Sequence, residues 1–250
     1  DQAVRIIAET PVDFVIVPGD LTKDGELSSH REVARRLKRI EEAGKQVYVI
    51  SGNHDILNPE AYRYEGEEKV RVQNISPEDF AQIYASFGYA EALERDPASL
   101  SYIVEPKPGL LLFALDSCIY NETTQDGRSV TEGRFSPATL GWIERNLLSA
   151  AREGKAVLAF MHHAVTEHYP SQEKHYGEYI IEDAEAVSRL LAAYNVRVVF
   201  TGHYHAQDIT RLEWDDGKFL YDVETGSLVT YPCPLRLVTI RENTLSLESR

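Results

Sequence analysis

Four short apolar runs in the chain each end in residues of metal-ligating type: DFVIVPGD, QVYVISGNHD, AVLAFMHH and VRVVFTGHYH. A strand buried on both faces of a parallel sheet reads as such a nearly continuous Val, Ile, Leu and Phe run, and open α/β sheets bind ligands outside the carboxyl ends of their strands. The pattern predicts that Asp20, Asn53, His54, His162, His163, His203 and His205 converge on one sheet edge, although they are scattered over most of the sequence.

Helical signals lie between these runs. Ser29 and Glu32 read as a capping box, Val33, Leu37 and Ile40 follow at helical spacing, and Gly44 stops the helix before QVYVIS begins. Strand, helix, strand is the crossover unit of a parallel sheet. Residues 56–100 are polar and rich in Tyr and Glu; they read as an insertion over the sheet edge, with a helix in PEDFAQIYASFG capped by Ser76. SLSYIVEP and GLLLFALDS form a predicted hairpin, residues 119–135 an irregular loop, and Ser136-Pro137 the start of a helix with Leu140, Ile143, Leu147 and Leu148 on its apolar face. Residues 164–180 read as a loop able to serve as a lid, and Ala184 to Tyr194 as a helix. The tail, residues 206–250, contains ITRLEW, FLYDVETG, LRLVTIRE and TLSLES, which predict a second, mostly antiparallel sheet. The expected organisation is a single α/β domain over residues 1–250.

The formal charge of -14 argues against a nucleic-acid partner, because phosphate backbones are met by Lys and Arg clusters that the chain does not show. No run of 18 apolar residues exists, so no transmembrane helix is expected. Cys118 and Cys233 fit no zinc or CxxC pattern and are expected as buried thiols. Residues 1–9 read like the last turns of an amphipathic helix, so further residues are expected upstream. Oligomeric state and compartment, cytoplasm or cell envelope, stay open.

Two divalent ions held roughly 3.5–4 Å apart clamp a phosphate and lower the pKa of a bridging water. Such a centre needs a bridging carboxylate with neutral nitrogen and oxygen ligands on either side. Asp20, the Asn53 amide oxygen and the imidazoles of His162, His203 and His205 are of the right types. Gly19 before Asp20 lets the backbone turn sharply.

GDxxxxG, GNHD, a strand-terminal His and GHxH, in that order, make the chain resemble the calcineurin-like metallophosphoesterases over about residues 12–205. GDLTKDG is similar to the branch that includes bacterial cyclic-nucleotide and glycerophosphodiester phosphodiesterases. The resemblance implies a sandwich of two mixed sheets flanked by helices and hydrolysis of a small phosphorylated substrate, mono- or diester, with two divalent ions such as Mn, Fe or Zn. It implies that Asp20 bridges both ions, that Asn53, His162 and His203 complete the second, and that His205 binds the first. It also implies that His54 serves the leaving oxygen as a general acid, with Asp55 orienting it. Neighbouring strand residues face opposite ways, so of His162 and His163 one is the ligand. His162 directly follows the apolar strand and is taken as that ligand, which leaves His163 as a substrate contact or an outer donor to the site.

One element of the resemblance is missing. An earlier strand ending in DxH, which would give the first ion an Asp and a His, does not occur, and Asp1 with Ala3 does not replace it. The first strand of the expected fold is thus absent from this sequence. A catalytically impaired scaffold is therefore the competing reading, and retention of His54 speaks against it. Arg128, Arg134, His168, Tyr169, His175 and Tyr176 lie in loops near the strand ends and are further candidates for substrate contact.

Overall fold

The computed structural model describes residues 2–242 and 244–250. Asp1 and Asn243, the latter expected in a turn, lie outside the described residues. The chain opens with helix α1 (Gln2–Glu9), then strand β1 (Phe14–Pro18), helix α2 (Leu27–Glu42) and strand β2 (Gln46–Ile50). β1 and β2 pair in parallel, Phe14 opposite Gln46 and Pro18 opposite Ile50, as the crossover pattern requires. A hairpin β3 (Tyr62–Glu65) and β4 (Glu68–Arg71), helix α3 (Pro77–Ile83) and the short β5 (Glu94–Arg95) follow. Then come β6 (Tyr102–Lys107), β7 (Leu110–Leu115), α4 (Pro137–Arg152), β8 (Ala156–Met161), α5 (Gln172–Tyr176), α6 (Ala184–Ala193) and β9 (Val198–Thr201). The tail forms β10 (Asp208–Glu213), β11 (Phe219–Glu224), β12 (Arg236–Arg241) and β13 (Thr244–Ser249).

The main sheet has the order β10-β11-β9-β8-β7-β6-β5. Its two faces are read directly from strand alternation. Val104, Leu112, Ala114, Leu158, Phe160 and Phe200 point toward β2 and the Phe80–Tyr84 aromatic cluster. Their neighbours Ile103, Phe113, Val157, Ala159, Met161 and Val199 point the other way, onto Trp142, Ile143 and Leu147 of α4 and Val187 and Leu191 of α6. The result is a mixed α/β arrangement of sheets flanked by helices, the architecture expected. Phe80, Tyr84, Phe87 and Tyr89, all within residues 56–100, are buried in the first of these cores.

Three local expectations are corrected. Helix α2 begins at Leu27 behind Glu26, with no side-chain cap, and Glu32 pairs with Arg35 and Arg36 instead of closing a box with Ser29. The Leu27 amide donates to the Gln73 carbonyl, so a long-range contact starts the helix three residues early. β10 and β11 do not join a separate tail sheet: β11 runs parallel to β9 and extends the main sheet, and β12 and β13 alone pair with each other. The apolar FLYDVE run covers an edge that β9 would otherwise leave open. Cys233 is exposed in a loop, whereas Cys118 is half-buried and donates to the Ser51 carbonyl. None of the described helices is long and apolar enough to cross a membrane.

Candidate metal centre

The carboxyl ends of β1, β2, β8 and β9 meet. Gly19 and Asp20 both take left-handed backbone (φ +91° and +51°), which turns the chain sharply at the end of β1. A Cβ on Gly19 would lie 2.6 Å from His162 Nδ1 and 2.7 Å from the Gly52 Cα, so the approach of the loops requires glycine there.

His162 is fully buried, and its Nδ1–H donates to the Pro18 carbonyl at 2.8 Å. That bond leaves Nε2 as the lone-pair nitrogen, 3.1 Å from Asn53 Oδ1 and 3.4 Å from Asp20 Oδ1. Burial, the largest influence, holds the ring neutral by lowering its pKa to about 4. His203, also left-handed (φ +71°), donates from Nε2 to the Glu178 carbonyl at 3.3 Å, which leaves Nδ1 as its ligand atom. Burial and the neighbouring imidazoles push its pKa well below the ordinary histidine value. One ligand atom each from Asp20, His162 and His203 lies within 4.8 Å of the others. The lone pairs of the two imidazoles and of Asn53 thus face the Asp20 carboxylate, whose pKa burial raises, an arrangement that a divalent cation relieves. The donor set therefore fits a metal ion at this position. His205 is exposed (φ +61°) and does not join the group of three.

The sequence profile of the calcineurin-like phosphoesterases matches residues 1–207. The chain belongs to the calcineurin-like phosphoesterase family. Members of this family are hydrolases of phosphate esters that use divalent metal ions. Among solved structures the chain is similar to a dimetal phosphatase from Danio rerio, with 17% identity and a TM-score of 0.66, covering 100% of this chain and 84% of that one. At that identity the likeness shows the fold alone. A phosphopantetheinyl hydrolase from Mycobacterium tuberculosis matches with 13% identity over 89% of this chain and 83% of that one, at a TM-score of 0.46. Among curated proteins none matches the chain.

Around the ligand group of this phosphoesterase, the contacts of His54 and His163 run to residues outside that group. The His54 ring is held by Asp24, whose Oδ1 lies 3.3 Å from His54 Nδ1, and not by Asp55. Asp55 is fully buried and accepts from the amides of Leu21, Thr22 and Gly52 and from the Thr22 hydroxyl, tying the loop after β1 to the loop after β2. Desolvation lowers the His54 pKa, but the charge of Asp20 and the contact with Asp24 outweigh it, and the net direction is upward. His163 makes two contacts of its own. It is fully buried, Nδ1 meets the Ser117 hydroxyl just after β7 at 2.7 Å and Nε2 meets the Thr131 carbonyl at 2.8 Å, so one nitrogen anchors the 119–135 loop and the other the residue that leads into it.

Other groups carried weak sequence signals or none. Asp24 reads as a turn residue, and its burial beside His54 emerges only when GDLTKDG folds back over the loop after β2. His30 lies buried under that turn, donating from Nε2 to the Asp55 carbonyl at 2.8 Å and meeting the Tyr84 hydroxyl through Nδ1. The Tyr179 ring packs on His203 at a centroid distance of 4.7 Å, so the 164–180 segment covers that ligand. Tyr169 and Tyr176 lie beside Tyr204, and Arg134 pairs with Glu122. Asp116 is not in the group of three and accepts from Leu100, Cys118, Ser51 and Tyr120.

Proposed function

We propose that this chain hydrolyses a small phosphorylated substrate at a dinuclear metal centre built on Asp20, with His54 as the proton donor to the leaving oxygen. The observation that carries the reading is the convergence of Asp20, Asn53, His162 and His203 with their lone pairs facing one another. Asp20 would be shared by both ions, Asn53, His162 and His203 would hold one of them, and His205 would contribute to the other. When bound, the ions polarise the phosphate oxygens and activate water as the nucleophile.

The remaining work belongs to side chains. The Pro18 carbonyl fixes the His162 tautomer, and the Glu178 carbonyl does the same for His203. Asp24 takes Nδ1 of His54, which keeps Nε2 as the atom that presents a proton at the half-open face of the site. The Asp24 carboxylate at Nδ1 favours the protonated ring that a general acid needs. Asp55 keeps Asp20 and Asn53 in register by holding both of their loops.

The test is hydrolysis of an aryl phosphate monoester and an aryl phosphate diester by purified protein supplied in turn with Mn, Fe, Co, Ni and Zn. Turnover with at least one ion is expected, reduced by about 100-fold or more in Asn53→Ala and His54→Ala. No turnover of either ester with any of these ions overturns the proposal.

A further inference from the structure

A second buried polar cluster lies behind the ligand loops. His168, whose side chain is 2% exposed, places Nδ1 2.9 Å from Asp208 Oδ2. Its Nε2 lies 3.5 Å from Asp222 Oδ2 and 3.6 Å from Glu224 Oε2. Asp222 and Glu224 are fully buried neighbours on one face of β11. Arg236, on β12, donates from Nη2 to the backbone carbonyls of Asp208 and Glu224.

The other contacts of the two β11 carboxylates lead to the metal ligands. Asp222 accepts from the Val165 amide at 2.7 Å and from the Thr201 hydroxyl at 2.6 Å. Val165 is three residues after His162, and Thr201 two before His203. Glu224 accepts from the amide of Ala206, which follows His205. His203 and His205 both hold left-handed backbone that an ordinary side chain resists, and such backbone persists where surrounding contacts over-determine it.

We propose that His168 is a positioning residue for the metal centre, acting through Asp222 and Glu224 on the segments that carry His162, His203 and His205. This rests on the reading of those histidines as metal ligands. Two carboxylates with no access to water need a cation among them, or they repel each other until one takes up a proton or moves toward solvent. Such a movement would release the amides and the hydroxyl that they hold. His168 supplies that charge: burial lowers its pKa, but the contacts and charges of Asp222, Asp208 and Glu224 outweigh burial and raise it to about 9. The unpartnered His168 Nε2 and Glu224 Oε2 face each other inside the cluster, so charge and not a formed hydrogen bond couples them.

The experiment titrates Mn²⁺ into the full chain and follows the free ion by electron paramagnetic resonance. His168→Gln is expected to weaken Mn²⁺ binding about tenfold or more. The double substitution His168→Gln and Glu224→Gln removes one negative charge, leaves an oxygen for the Ala206 amide and is expected to recover most of that loss. A role confined to packing would not be rescued by a second substitution in the same cluster. Should His168→Gln fail to fold, Asp208→Asn weakens the same charge from its half-exposed side and is expected to reduce Mn²⁺ affinity about threefold, on the scale of a single partly exposed charge. Unchanged Mn²⁺ affinity in whichever of these two single variants folds, or a double variant no better than His168→Gln, overturns the inference and leaves the metal centre standing. Absence of Mn²⁺ binding in the unaltered protein removes the metal centre itself, and the inference with it.

Discussion

Asp24 Oδ1 lies 3.3 Å from His54 Nδ1, and the carboxylate is buried while the imidazole side chain is 43% exposed. A buried acid thus aims a half-open ring. If His54 protonates the leaving oxygen, Asp24→Asn weakens both aim and charge. Turnover of an alkyl phosphate ester is expected to fall about 100-fold, and that of an aryl ester with a good leaving group far less. Comparison of kcat for the two esters checks this, and equal losses would reject the acid role.

Glycine at position 19 is expected to be indispensable, and glycine at 154 is not. Both have positive φ, +91° and +66°, but a Cβ at 154 meets nothing within 4 Å, whereas at 19 it meets His162 Nδ1 and the Gly52 backbone below 3 Å. Gly154→Ala should cost about 1 kcal/mol from backbone strain alone. Gly19→Ala adds overpacking and should cost about 3 kcal/mol, with loss of metal binding. Urea unfolding of both variants measures the difference.

Asp55→Asn is expected to destabilise the protein by about 3 kcal/mol, because an amide nitrogen would face some of the four donors that the carboxylate now accepts. Its effect on the His54 ring should be secondary to the loss of loop register. Chemical denaturation gives the stability, and Mn²⁺ affinity reports the loops.

Two groups should lower the stability of the metal-free protein in two steps as pH rises. The first step is opposed by His162 and His203, whose lowered pKa makes stability rise with pH up to the ordinary histidine value of 6.5. Glu224, an acid raised to about 7 by burial, holds its proton more tightly folded than unfolded, so stability is lost as pH climbs from the ordinary value of 4.5 through 7. His168, raised to about 9, contributes fully below its ordinary value of 6.5, and that contribution disappears as pH passes 9. The second step is on the order of 3 kcal/mol. Thermal midpoints by circular dichroism should show it in the unaltered chain and not in His168→Gln.

The strand ends were legible because each apolar run and its terminal ligand are contiguous in sequence. QVYVISGNHD carries both the β2 signal and Asn53, and AVLAFMHH both β8 and His162. Strand alternation posed the choice between His162 and His163, and the bonds to Pro18, Ser117 and Thr131 show how the two rings differ. The pairing of β11 with β9 was not legible, since FLYDVETG reads equally well as an antiparallel tail strand. Nor was the partner of His54: Asp55 is adjacent in sequence, Asp24 thirty residues away.

The sequence by itself determined the family, the strand-helix-strand order and which residue types stand at the strand ends, because these depend on local periodicity and on motifs of a few residues. Tertiary structure alone decided how the ligand shell is supported: Asp24 on His54, Asp55 across two loops, and Asp222 and Glu224 beneath the histidine segments. A buried carboxylate must find donors or a cation wherever the fold supplies them, and that choice depends on three-dimensional proximity, which adjacency in the chain does not reveal.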